Sequence, residues 1–237
     1  MHGGGVAGQL PGMKAWRVAV CAGVVALVGC AGPHRAPPHT AAMPRDGRQS
    51  AALQVVSGAA TVIVGTANLG DDLIRVSTPV NSGVRPSLAG RGPVRLYLVP
   101  AGGSGPAAVH IMLNPHVIWR LLFAGGTSLT IVNLGQGRVR SVDFAAGSSV
   151  IQLTLPRPRG TASVVLAGGA SQAMLSVPVG VPARLRLDGG AASATLAGQT
   201  YTGVAGGTVL AAAGWAGAAS RYDIQAPAGV SAISVAG

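Results

Sequence analysis

The 237-residue chain carries 17 Lys and Arg against 6 Asp and Glu, a formal net charge of +11, with aromatics at 3% and 37 glycines. So few aromatics leave Val, Leu, Ile and Ala to fill the core in thin layers, which argues against a globular α/β enzyme and for a narrow β architecture. Every acidic residue is Asp, and no basic motif interleaved with aromatics is present to stack bases, which argues against nucleic acid as a partner.

Residues 1–12 are uncharged, glycine-rich and unpatterned. At Met13 a better-defined segment begins: Lys14 and Arg17 form a positive end, Val18 to Leu27 is apolar, and Leu27-Val28-Gly29-Cys30 closes it. This is the layout of a secretory signal, and the apolar window is short for the ~20 residues of a membrane span. The closing tetrapeptide resembles the cleavage box of bacterial lipoprotein signals. That resemblance implies cleavage after residue 29, diacylglycerol on the sulfur of Cys30, and a chain held at the extracytoplasmic face of the cell membrane, with Met13 as an alternative start. Cys21 falls in the removed segment, so the mature chain has no thiol for disulfides, metal sites or nucleophilic catalysis. Residues 30–50, with Pro33, Pro37, Pro38 and Pro44 among small and polar residues, read as an extended tether.

The domain expected over 51–237 is organised by its centre. The segments ending Leu122-Phe123-Ala124-Gly125-Gly126, Asp143-Phe144-Ala145-Ala146-Gly147, Val165-Leu166-Ala167-Gly168-Gly169 and Arg186-Leu187-Asp188-Gly189-Gly190 repeat one pattern. Their anchors, Phe123, Phe144, Leu166 and Leu187, recur every 21 or 22 residues, which is the signature of stacked repeats. Apolar residues alternate with polar ones before each anchor, a half-buried strand, and Gly126, Gly147, Gly169 and Gly190 suit a corner needing positive φ or close backbone approach. A second strand follows, with Val132, Leu153, Leu175 and Leu196 nine places past the anchors. The frame extends outward to anchors at Val56, Val80, Pro100, Val204 and Pro227, which gives about nine turns. One Ala-rich helix is expected over Thr208 to Ser220.

These turns predict an all-β fold, a single-stranded β-solenoid of roughly 21-residue turns. The alternative is an antiparallel β-sandwich, in which Asp188-Gly189 would be a type I′ hairpin turn. The repeat, from Val164 to Val177 and again at Val230 to Val235, resembles the adhesin-head (GIN-type) class of bacterial β-solenoid domains. The class implies a right-handed coil exposed on the cell surface, and it supplies no catalytic residues.

Candidate chemistry is sparse. There is no Gly-x-Ser-x-Gly elbow, no phosphate loop and no His pair at helical ligand spacing, so no catalytic residue, cofactor or metal is assigned. Arg138/Arg140, Arg157/Arg159 and Arg184/Arg186 form spaced pairs, each on one side of an extended segment, as contacts for an anionic wall polymer, a glycan or an envelope protein. The function expected is a non-catalytic envelope lipoprotein presenting a binding, adhesion or scaffolding surface. Alternatives are an envelope-stress signalling module, or a carbohydrate-active enzyme using Asp143 and Asp188 with Arg184 and Arg186.

Overall fold

The computed structural model describes residues 39–237. The expected signal over 1–29, Cys30 and the first part of the tether lie outside the described residues. In chain order the strands are β1 (Thr40–Pro44), β2 (Ser50–Val55), β3 (Ala59–Thr66), β4 (Asp72–Ser77), β5 (Val84–Ala89), β6 (Val94–Pro100), β7 (Ala108–Leu113), β8 (Ile118–Phe123), β9 (Thr127–Asn133) and β10 (Arg138–Phe144). They continue with β11 (Ser148–Thr154), β12 (Thr161–Leu166), β13 (Ala170–Ser176), β14 (Ala183–Leu187), β15 (Ala191–Leu196), β16 (Gln199–Val204), β17 (Thr208–Ala211), β18 (Arg221–Ala226) and β19 (Val230–Ala236).

The strands form two mixed sheets, of ten strands in the order β1-β4-β7-β3-β9-β11-β13-β19-β15-β16 and nine in the order β17-β14-β18-β12-β10-β8-β2-β6-β5. Both bury one face in a shared core, because apolar side chains occupy alternate positions and the pleat sends them to one side. In β8, for example, Trp119, Leu121 and Phe123 are buried while Arg120 faces out.

The building unit is a strand in the nine-stranded sheet, a corner, and a strand in the ten-stranded sheet. Units stack through parallel pairing in register, so like covers like. One column runs Val94, Leu53, Leu121, Val142, Val164, Ile224 and Leu185. Its counterpart across the core runs Ile111, Val64, Val132, Leu153, Leu175, Val235 and Leu196. Phe123, Phe144 and Leu166 are register partners on adjacent strands, and the two rings stack with centroids 4.8 Å apart, the spacing of neighbouring strands.

Several expectations fail at the ends of this array. Leu187 does not adjoin Leu166: β18 lies between β12 and β14, and Leu187 pairs with Ala226. Likewise β2 lies between β6 and β8, so the units do not stack in chain order. The true neighbour of Phe123 is Val55 rather than Val56, and Val55 in turn pairs with Leu96 rather than Pro100. Val80 sits in a turn, 86% exposed, and Val204 ends β16, which pairs antiparallel with β15. Thr208 to Ser220 is not a helix, since its start pairs antiparallel with β14 as β17 and only Trp215–Gly217 forms a 3-10 turn. Strand pairing overrides the local alanine preference there. Asp188-Gly189 is a corner between sheets rather than a hairpin turn.

The tether also ends earlier than expected. Thr40–Pro44 pairs antiparallel with β4, and His39 Nδ1 lies 2.9 Å from Thr78 Oγ1. Antiparallel strands β1, β4 and β5 thus cover the parallel units at one end, and β16 and β17 at the other. Two of the four outermost strands carry the usual deterrents to further pairing: a register break at Met43/Pro44 in β1 and a proline, Pro86, in β5.

At the corners, Gly169 and Gly190 have φ of 74° and 74°, whereas Gly126 and Gly147 are not in the left-handed region. The tighter constraint sits one residue earlier, where the stacked units present Ser57, Gly125, Ala146, Gly168, Ala228 and Gly189. A Cβ on Gly125 would overlap the Ser57 carbonyl carbon, one on Gly168 that of Ala146, and one on Gly189 that of Ala228. Every second member is therefore glycine, because backbone meets backbone and neither side can yield. Gly168→Ala is expected to destabilise the fold by about 2 kcal/mol or more, the scale of overpacking a rigid core. Gly217→Ala, with open space around the added carbon, should change urea denaturation far less.

Candidate anion-binding groove

Arginines are concentrated on the nine-stranded sheet, on β5, β6, β8, β10, β14 and β18, whereas in the ten-stranded sheet only β4 is charged, with Asp72 and Arg75. Among the described residues three Arg–Asp ion pairs occur: Arg48–Asp46, Arg75–Asp72 and Arg184–Asp223.

Four of the six expected arginines converge. Arg138 and Arg140 lie on β10, Arg157 and Arg159 on the segment entering β12, and together they line a recess of about 210 Å³ with Ile118, Val139, Thr161 and Ala162. Register against β8 slips between Val139 and Ser141, so Arg140 is the extra residue of a bulge and turns outward from the ladder. Arg157 and Arg159 are held by Pro156 and Pro158, both buried, whose rings fix φ and remove donors that a strand would need to pair. The buried Tyr222 hydroxyl donates to the Pro156 carbonyl at 2.6 Å, and Arg157 Nη2 donates to the Val179 carbonyl at 3.0 Å. Burial drives the Tyr222 phenol well above its ordinary pKa, so it remains a donor.

The recess continues along the sheet. Arg140 and Ile118 also border a second, larger and more open depression of about 520 Å³ formed with Ser50, Ala51, Ala52, Gly92 and Arg120. Arg120 is exposed on β8 and was not among the six, because a single arginine in a strand carries no spacing signal. No carboxylate lines either depression.

Arg184 and Arg186 do not join the groove. Arg184 donates from Nε and Nη2 to the two carboxylate oxygens of Asp223 at 3.0 and 3.1 Å and lies 3.8 Å from the Trp215 ring centroid. On the same ring Arg221 sits at 4.6 Å, and its Nη1 donates to the Trp215 and Ala216 carbonyls, so two cations and one indole clamp the 3-10 turn. Thirty-nine residues separate Arg184 and Asp223, which hides the pair from any local motif. Arg186 is half-buried, its Nε without a partner among the described residues.

The expected acidic candidates do not gather. Asp188 is exposed at the corner after β14. Asp143 faces out from β10, accepts from the Ser141 hydroxyl at 3.1 Å, and is separated from Arg186 along its row by Val165 and Gln225. Asp72 pairs with Arg75 at 2.7 Å. His110 and His116 are exposed, and no group of three or more metal-ligating His, Cys, Asp or Glu occurs among the described residues.

Comparison with protein-family models and with curated proteins finds no match. Among solved structures the chain is similar to the crystal structure of a candidate cell adhesion protein from Clostridium sporogenes, with a TM-score of 0.58 and 12% identity. The likeness covers 83% of this chain and 97% of that one, and at such identity it shows a shared fold.

The two half-buried carboxylates titrate in opposite senses. Burial raises Asp143 above the ordinary carboxylate value and the Ser141 hydroxyl offsets part of this. Burial alone would raise Asp223 too, but hydrogen bonds from Arg184 and Gln225 and the charges of Arg184 and Arg186 outweigh it and leave its pKa lowered. A lowered native pKa stabilises the fold above the unfolded value and loses that contribution as pH falls through the native one, while a raised pKa penalises the fold at neutrality. Asp223→Asn should therefore destabilise near neutrality, with the deficit shrinking in acid. Asp143→Asn should stabilise near neutrality, with its advantage vanishing in acid; urea midpoints across the pH range check both.

Proposed function

We propose that this chain is a non-catalytic envelope lipoprotein, tied to the outer face of the cell membrane by lipid on Cys30, whose β domain attaches to an anionic surface component. The observation that carries this reading is the groove lined by Arg138, Arg140, Arg157 and Arg159, four arginines around one recess with no carboxylate among them. Unpaired arginines held together repel one another, and an oxyanion relieves that repulsion through bidentate charge-assisted hydrogen bonds. Similarity to the Clostridium sporogenes protein supports adhesion as the type of role. The dispersed positions of Asp143 and Asp188 favour binding over glycoside hydrolysis, which in most enzymes uses two carboxylates flanking one bond.

We read the fold more finely as a β-solenoid with two strands per turn, its turns laid down out of chain order, and right-handed as the adhesin-head resemblance implies. In-register columns on both sheets support this reading.

Two measurements test the function. Cys30→Ala should abolish incorporation of radiolabelled palmitate and release the chain from the membrane fraction; retention of both label and membrane association would remove the anchor from the proposal. Replacing Arg138, Arg140, Arg157 and Arg159 with Gln should abolish sedimentation of the purified domain with cell-envelope particles, while Arg85→Gln, a loss of one charge on β5 away from the groove, leaves sedimentation in place. Equal sedimentation of wild type and the fourfold variant would refute the groove as the contact surface.

A further inference from the structure

We infer that the groove holds a linear polymer of acidic sugars, with one carboxylated unit seated among Arg138, Arg157 and Arg159 and the neighbouring unit lying across Ile118 toward Arg120. The inference rests on the binding role just proposed and names its ligand class. The recess of about 210 Å³ is below the ~300–1,000 Å³ of sites that engulf drug-sized molecules, and so suits one sugar-sized unit. It is not closed at its end: Arg140 and Ile118 are shared with the second depression, so an occupant of the first can continue into the second. From β12 across β10 and β8 to β2 the path crosses three inter-strand steps, about 14 Å at the usual strand spacing, which is longer than a single ion or sugar needs.

Composition of the walls selects the chemistry. The arginines provide planar forks that match carboxylates, and the partly exposed Ile118, Ala51 and Ala52 provide apolar surface for the C–H faces of a sugar ring. A bilayer surface would meet protruding cations first, whereas here they line a recess. The segment carrying Arg157 and Arg159 is already fixed by Pro156, Pro158 and the Tyr222 hydrogen bond, so less ordering cost falls on binding.

Isothermal titration of the domain with galacturonate, its linear oligomers, neutral galactose oligomers and phosphatidylglycerol vesicles tests this. Affinity should rise from the monomer to the oligomers, fall with added salt, and be absent for the neutral oligomers. Arg138→Gln and Arg159→Gln should each weaken oligomer binding about tenfold or more, the scale of losing a charge-assisted hydrogen bond. Arg120→Gln should erase the gain in affinity with chain length, and Arg85→Gln, an equal loss of charge on β5, should change little. The assignment is overturned if affinity does not depend on length, if Arg85→Gln costs as much as Arg159→Gln, or if the vesicles bind more tightly than the oligomers. Envelope sedimentation without any uronate binding would discard the sugar polymer and leave the binding role standing. Failure to sediment with envelope particles at all would discard the role itself.

Discussion

Backbone against backbone at the corners is the contact that the rest of the structure depends on. Parallel strands in register need each turn to sit directly over its neighbour, and at the corner this brings the second residue after one strand against the carbonyl of the turn beside it. Side chains cannot absorb that approach, so the column reads Ser57, Gly125, Ala146, Gly168, Ala228 and Gly189, with glycine at every second place. Once the corners meet, the flanking columns follow: Phe123 lies flat on Phe144, and Leu121 on Val142. Thr127 and Ser148, partners just past two such corners, share a hydrogen bond of 2.8 Å, so even polar groups near the bend stack like on like.

The same register that stacks leucines forbids stacking charges. A row of arginines on successive strands would place like charges side by side along the ladder, which is destabilising. One outward row of the nine-stranded sheet shows how the chain avoids this: it runs Ala52, Arg120, Ser141, Ser163, Asp223 and Arg184. Hydroxyls separate Arg120 from the next charge, and Asp223 neutralises Arg184. Of the quartet, only Arg138 stays in the ladder, where its partner is the apolar Ile118. Arg140 stands in a bulge, and Arg157 and Arg159 lie on a proline-stiffened segment before β12 begins, so these three line the recess where strand pairing does not dictate their neighbours.

How much of this is legible in the sequence follows from what a period records. Spacing between Phe123, Phe144 and Leu166 reveals units that resemble one another, and these are neighbours in space. It says nothing of which unit lies beside which, so the displacement of Leu187 by Ala226 leaves no trace in the 21-residue count. The outer frame fails for a different reason: in β2 and β18 the buried alternation ends at Val55 and Ala226, one residue before the candidates Val56 and Pro227, because two adjacent small or apolar residues leave the phase ambiguous. Pairwise spacing finds Arg138 with Arg140 and Arg157 with Arg159. It equally proposes Arg184 with Arg186, and only the distant Asp223 and Trp215 show that Arg184 is occupied in holding the structure.

Displacement of the last unit couples fold and groove. In a coil laid down in chain order, the residues nearest the C-terminus form an end piece that touches the rest on one side only. Here β18 and β19 fill a gap between β12/β13 and β14/β15, so each makes parallel pairs on both sides. Strands β12 to β15 thus take these parallel neighbours from residues far along the chain, pairings of long sequence separation rather than of adjacent turns. Tyr222 belongs to that inserted unit, and its hydroxyl fixes Pro156, the residue at the root of the Arg157 and Arg159 segment. The wall of the arginine-lined recess is therefore held by the inserted strand β18, whose Tyr222 lies 66 residues along the chain from the Pro156 carbonyl it fixes, so the recess depends on a pairing that no local segment could supply.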